Sequence, residues 1–302
     1  MKKLIIILPL FILFQACNQN TESTTSKEKI NFTLNQNFGD YWYQGEAELT
    51  SYELTQVRYG QQRKGHAVLI YVTEDFSKSK QVKLDNPKAA GDDAEKVMKL
   101  NFTKKFKTGI YPYSIMTSVF SPVYPQYDLH ARKITTSIQE WCGHVFTQLN
   151  NEDKYYNLLS RSYFESEGDI ETELEKVWLE DELWTLIRLN PEKLPSGEIK
   201  ILPSTQYIRL KHKEAIPYSA SIDIINHNSL KILELNIPDL EKNLKIQFEA
   251  NHPYKIQSWK ETYPENGEMM TTEATLNERL MLDYWNKNSV NDSIYREKLG
   301  LE

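Results

Sequence analysis

Apolar and polar residues alternate with a period of two through most of the chain after residue 31. The alternation is clearest at 67–73, 97–106, 133–146 and 244–250. This pattern is typical of β-strands that bury one face. Weaker stretches of the same kind predict further strands at 45–59, 113–120, 155–164, 198–202, 207–213, 219–225, 230–235, 254–263 and 268–276.

Two segments have helical spacing instead. In "VWLEDELWTLIRLNP", Leu179, Leu183 and Leu186 recur every three to four residues, acidic residues fill the first turns, and Pro191 follows. These are the start and stop signals of a helix. Near the C-terminus, the spacing of Leu280, Tyr284 and Trp285 predicts a short second helix.

Many antiparallel strands with few helices predict a mainly β fold: a large curved antiparallel sheet or half-barrel with a central helix and a short C-terminal helix. We expect residues 31–302 to form a single β-rich domain, because either half alone would leave sheet edges open. A subdivision near 191–198 is the alternative, since "PEKLPSGE" interrupts the pattern there.

The first residues predict export. Lys2 and Lys3 precede an apolar run at 4–14, and small residues lead to Cys17. The run is too short for a membrane-spanning helix, which needs ~20 residues, so residues 1–16 are interpreted as a signal peptide. The end of this segment, "LFQAC", resembles the lipobox of bacterial lipoproteins. That resemblance implies lipid attachment at Cys17, and two or more acyl chains anchor a protein stably.

Residues 17–30 are polar and predict a flexible tether between membrane and body. No acidic run follows Cys17, which favours the periplasmic face of the outer membrane. Removing residues 1–16 takes away two lysines and no acidic residue, which leaves 34 basic against 42 acidic residues and a net charge of −8. This balance argues against nucleic acid as a partner.

The segment "QEWCGHVF" holds the one cysteine after Cys17. On one uninterrupted strand, Glu140, Cys142 and His144 would share a face and provide the residue types of an activated cysteine. Their spacing is wider than a nucleophile and base require, so a buried structural thiol is the favoured interpretation. A cysteine-dependent site is the alternative.

Three other features are candidates for chemistry. Glu165, Glu167 and Asp169 could hold a hard cation such as Ca²⁺, or could form a solvated acidic strand end. Ser293, in "DSI", fits a three-residue pattern for O-glycosylation. Aromatic residues could line a groove for an apolar or sugar-like ligand, or could pack in the core; these are Tyr41, Trp42, Tyr43, Tyr111, Tyr113, Phe120 and Tyr124. No motif indicates a cofactor.

The body also resembles a family of flavobacterial lipoproteins, in segments similar to "DYWYQGEAEL", "QEWCGHVFTQLN", "SYFESEGD" and "LEDELWTLIRLNP". Members are often labelled septum formation inhibitor Maf, which would imply a nucleotide pyrophosphatase. The Ser-x-Ser-Pro-Arg-Arg segment of Maf enzymes is absent, because the first Ser-Pro, Ser121-Pro122, is followed by Val123 and Tyr124.

We therefore expect an outer-membrane lipoprotein that binds an unknown ligand or envelope protein. A cysteine-dependent envelope hydrolase or transferase is the alternative, and a Maf-like pyrophosphatase is a distant third.

Overall fold

The computed structural model describes residues 28–301. The predicted signal peptide, Cys17 and most of the tether lie outside this range. The described chain contains five short α-helices, of which α3 is the longest, and none is long and apolar enough to cross a membrane. Their bounds are α1 Phe38–Trp42, α2 Pro87–Ala90, α3 Glu180–Leu189, α4 Thr205–Leu210 and α5 Ile294–Lys298.

Sixteen strands in the described range belong to one sheet. They are β1 Ala47–Arg58, β2 Gln61–Ser77, β3 Val82–Lys83, β4 Ala94–Thr108, β5 Tyr111–Pro122, β6 Lys133–Glu140, β7 Gly143–Asn151, β8 Tyr155–Ser162, β9 Ile170–Glu175, β10 Trp178–Leu179, β11 Gly197–Leu202, β12 Tyr218–His227, β13 Leu230–Ile237, β14 Lys242–Glu249, β15 Ile256–Glu265 and β16 Glu268–Leu282. The mainly β prediction is confirmed, and the sheet includes strands from both sides of 191–198.

The strand order is β10 to β16, then β1, β2, β4 and onward to β9, with β3 paired to the end of β2. Every pair is antiparallel except β10 with β11. The sheet curves so that its two edges approach each other. Lys200 on β11 lies 2.9 Å from Glu175 on β9, and the Tyr156 hydroxyl donates to the Val177 carbonyl at 2.9 Å.

The concave face of the sheet is filled by the protein itself. All ten residues of α3 are buried there. The indole of Trp184 packs against Phe102 and Trp259, with ring centroids 4.9 Å and 5.3 Å apart. The Tyr71 hydroxyl donates to the Trp184 carbonyl at 3.1 Å. The predicted central helix is confirmed, and it leaves little room for a ligand between itself and the sheet.

Charged residues of α3 are compensated by the sheet around it. Arg188 and Glu48 are both buried, and two parallel hydrogen bonds of 2.7 Å join them. The carboxylate of Glu180 lies 2.7 Å from the Lys242 ammonium, which also lies 3.0 Å from Glu261. Asp181 accepts hydrogen bonds from the backbone N–H and hydroxyl of Thr205. Buried charges persist in proteins when they are paired in this way.

The prediction of a strand at 207–213 is wrong, because this segment begins in helix α4. The side chain of Ser204 caps the helix by accepting from the Tyr207 N–H at 3.2 Å. Thr205 is bound to Asp181, so α4 is tied to the start of α3. The alternation in this segment belongs to a short helix that packs against β5 and β6.

The C-terminal helix is present but lies later than predicted. Leu280 is part of β16, whereas Tyr284 and Trp285 are in a 3₁₀ turn and α5 spans Ile294–Lys298. The segment after β16 covers the convex face of the sheet, where Leu299 and Leu301 pack in one cluster with apolar residues of β1 and β2. Alternation along β16 places Leu280 and Leu282 on that same face, which explains the misleading spacing.

Replacing Arg188 by Leu should lower the free energy of unfolding by about 3–5 kcal/mol. Buried Glu48 would lose both hydrogen bonds from the guanidinium and keep only Arg279, at 3.7 Å, as a nearby cation. Chemical denaturation monitored by circular dichroism measures this loss. Lys200→Leu is the matched control. Its partner Glu175 is exposed, so the loss should stay within about 1 kcal/mol. Equal effects of the two changes would contradict the assigned role of Arg188.

Candidate ligand groove

Cys142 is exposed, and the expectation of a buried thiol is wrong. The predicted strand at 133–146 is in fact two strands, β6 and β7, joined by a tight turn at Trp141 and Cys142. Glu140 pairs with Gly143 across the turn. A Cβ atom at Gly143 would lie 2.6 Å from the Tyr163 ring, so the close approach of Tyr163 requires glycine here.

The surroundings of Cys142 do not activate it. The Cys142 backbone N–H donates to Glu140 Oε2 at 2.7 Å, and the hydrogen bond from the thiol to Glu140 raises the pKa of Cys142. A reactive cysteine needs a lowered pKa and a nearby positive charge. His144 is exposed on β7 and pairs with Gln139.

The acidic group 165–169 lies in the loop between β8 and β9. Glu167 and Asp169 contact different basic residues rather than one shared site. Glu167 lies 2.7 Å from His212 and 3.4 Å from Arg209, while Asp169 lies 3.7 Å from Arg161. Glu165 is exposed. Within residues 28–301, no three histidine, cysteine or acidic side chains are grouped to hold a metal.

Two further candidates from the sequence are the glycosylation site Ser293 and the lipid-attachment site Cys17. Ser293 is exposed at the end of a 3₁₀ turn on the C-terminal segment, so its hydroxyl is accessible. Cys17, the predicted site of lipid attachment, lies outside the described residues.

The aromatic candidates divide into core and surface. Trp42 and Tyr113 are buried, and Phe120 stacks on Phe76 with ring centroids 5.0 Å apart. Tyr43 and Tyr124 are exposed instead, and their hydroxyls form a 2.8 Å hydrogen bond. This pair marks the place where two surface depressions meet.

The larger depression has a volume of about 580 Å³ and lies at the loop between β5 and β6. Its wall carries Tyr124, Gln126, Tyr127 and Asp128 from that loop, and Arg132 just before β6. Tyr124 and Tyr127 are 58% and 53% exposed, so their ring faces are available to a ligand. The sequence analysis did not predict Tyr127 and Arg132 as ligand contacts, although the irregular, aromatic-rich loop that holds Tyr127 could have indicated a binding site.

The smaller depression has a volume of about 460 Å³ and is lined by Tyr43, Glu46 and Trp285, among others. Lys96 lines both depressions, and Tyr43 in one is hydrogen-bonded to Tyr124 in the other. We call the two adjoining depressions the groove. Four exposed aromatic side chains lie along it: Tyr127, Tyr124, Tyr43 and Trp285.

Polar groups in the groove are held in fixed positions by one another. Arg132 donates from Nε and Nη2 to the two carboxylate oxygens of Glu95, at 2.9 Å and 3.2 Å. Asp128 accepts from Lys176 at 2.6 Å and from Asn151 at 3.0 Å. Burial opposes ionisation of Asp128, but the hydrogen bonds from Lys176 and the His130 N–H outweigh it and lower its pKa.

The loop wall of the groove is attached to the buried helix. Glu182 of α3 accepts from the Ala131 N–H at 2.7 Å and contacts His130 Nδ1 at 2.8 Å. Burial disfavours protonated His130, but the Glu182 carboxylate overcomes this and raises the pKa of the imidazole. The other wall is attached through α1, where the Tyr41 hydroxyl donates to Glu48, the partner of Arg188.

Cys142 should react with a maleimide in the folded protein, at a rate that rises with pH because only the thiolate reacts. Glu140→Gln removes the negative charge that stabilises the protonated thiol, so labelling at pH 7 should become faster. The readout is mass spectrometry of the peptide that contains Cys142, and His144→Gln is the control with unchanged rate. Labelling that needs denaturant, or slower labelling of Glu140→Gln, would contradict this geometry.

Neither a protein-family model nor a curated protein matches the chain. Among solved structures, the crystal structure of a β-barrel-like protein of the domain of unknown function DUF1849 from Brucella abortus is similar. The similarity covers 78% of this chain and 98% of that chain at 8% identity, with a TM-score of 0.45.

Proposed function

We propose that this chain is a lipid-anchored extracytoplasmic binding protein that holds a polar ligand in the groove. The anchor is the lipid expected on Cys17, and the outer membrane facing the periplasm is the expected location. The observation that carries the proposal is the groove itself, in which exposed aromatic rings adjoin polar groups already held in place. Binding sites combine these two elements.

The volume of the groove fits this role. Each depression falls in the range of ~300–1,000 Å³ that is usual for small-ligand sites. The concave face of the sheet is a poorer candidate, because α3 occupies it and all its residues are buried. A ligand therefore meets this protein on its outer surface.

The position of the groove supports a role close to the membrane. The Ile30 N–H donates to the carbonyl of Gln126 at 2.7 Å, and Gln126 is part of the groove wall. The tether predicted for residues 17–30 would therefore reach the body at the groove. A random coil of this length spans roughly 20 Å, so the groove would lie near the membrane surface and near the envelope material there.

The anchor is tested by cell fractionation. Wild-type protein should be recovered with membranes and Cys17→Ala in the soluble fraction, because the acylated residue is lost. Cys142→Ala is the matched control and should stay with membranes. If Cys17→Ala partitions like the wild type, the proposed anchor is wrong.

The groove is tested by thermal unfolding with a panel of sugars, amino acids, short peptides, organic phosphates and quaternary amines. A compound that binds the folded state raises the unfolding temperature. We expect at least one such compound, and we expect its effect to be lost in Tyr124→Ala.

The matched control for this test is Trp141→Ala, an aromatic residue that is 67% exposed on the turn between β6 and β7. Its unfolding temperature should respond to the compound as the wild type does. The groove is not the binding site if no compound has an effect, or if Tyr124→Ala responds like the wild type.

A further inference from the structure

We infer that the groove binds a neutral saccharide chain of more than one sugar. This inference rests on the proposed function, because it names the ligand class of the same site. It follows from what the charges, the polar groups and the aromatic rings of the groove each accept and exclude.

Two of the three cations that line the groove are paired with carboxylates, and the third is Lys78. Arg132 uses two donors on Glu95, and Lys96 lies 2.6 Å from Asp75. Lys176 does not line the groove, but it pairs with the groove residue Asp128. A phosphate or carboxylate ligand would have to displace one of these carboxylates or bind at Lys78. It would also face an excess of negative charge, because five acidic and three basic residues line the two depressions. Strongly anionic ligands are therefore disfavoured.

An acyl chain or another purely apolar ligand is also disfavoured. The larger depression exposes more polar than apolar surface, including Gln126, Asp128 and Glu152. An apolar ligand would take these groups out of water without giving them hydrogen-bond partners, which costs free energy for each group. The ligand must carry hydrogen-bonding groups along much of its length.

The exposed rings require an apolar surface on the same ligand. Tyr43, Tyr124, Tyr127 and Trp285 are each about half exposed, whereas large aromatic side chains usually bury most of their surface. Sugars combine both surfaces, because a pyranose ring has one face of C–H groups and a rim of hydroxyls. The C–H face can stack on an aromatic ring while the hydroxyls reach the paired carboxylates and amides.

The groove is longer than one sugar requires. Two depressions, each large enough for a small ligand, meet at Lys96 and at the Tyr43 and Tyr124 hydroxyls. A ligand that spans both must have repeated units with the same mixture of C–H faces and hydroxyls. An oligosaccharide meets this requirement, and it should bind more tightly than its own monosaccharide.

The experiment is a calorimetric titration of the full chain in an amine-oxide detergent, which has no sugar headgroup. The probes are four neutral oligosaccharides with their monosaccharides: maltohexaose, cellohexaose, mannohexaose and the hexamer of N-acetylglucosamine. At least one hexamer should bind, more tightly than its monomer. Tyr124→Ala should weaken binding about tenfold through loss of the ring, and Tyr124→Phe, which keeps the ring, by less than about threefold.

Trp141→Ala is the control and should bind as the wild type does. The inference is overturned if no oligosaccharide binds, or if Tyr124→Ala binds as well as wild type. When a compound of another class raises the unfolding temperature through Tyr124, only the saccharide assignment fails. When no class does so, the proposed groove function fails with it.

Discussion

The paired charges of Arg188 and Glu48 allow a charged helix to lie inside the curved sheet. α3 carries three consecutive acidic residues at its start and an arginine at its end, and every one of them is buried. Each of these side chains has a separate hydrogen-bonding partner: Lys242 for Glu180, Thr205 for Asp181, His130 for Glu182 and Glu48 for Arg188. The partner of Asp181 carries no charge, and burial raises the pKa of this carboxyl to about 7. Loss of one partner would leave a charge without solvation, so the helix and the sheet around it depend on each other.

The same buried pairs hold the two walls of the groove in position. Glu182 holds the loop that contains Tyr124 and Tyr127, and Glu48 holds α1, which is followed by Tyr43. The two walls of the groove are thus fixed to opposite ends of one buried helix. A binding site needs this support, because a wall that moves by an ångström loses its hydrogen bonds. The core of the protein and its candidate site are one network of contacts.

Local pattern predicted most of the strands and α3, because alternation and helical spacing report which face of each element is buried. The same reasoning failed where a short segment obeyed two patterns. Residues 207–213 alternate like a strand, but the Ser204 cap and the contact of Thr205 with Asp181 favour a helix. Around Cys142, no proline or asparagine marked the turn, so two strands were interpreted as one.

Of the groove, the sequence indicated Tyr43 and Tyr124 as possible ligand contacts but could not separate them from buried Trp42. The pairing of Arg132 with Glu95 and of Glu48 with Arg188 joins residues far apart in the chain. No local pattern encodes such a pair. Such a pair can be identified only when the strand order is known.

That strand order has a consequence for folding. Strands β11 to β16 form one antiparallel meander, and β1, β2 and β4 to β9 form another, so most pairings form between elements close in sequence. The exception is β1 with β16, in the middle of the sheet, where Ala47 pairs with Leu282. Closing so long a loop carries the largest entropic cost of any pairing here. We therefore expect the centre of this sheet to be its last part to form.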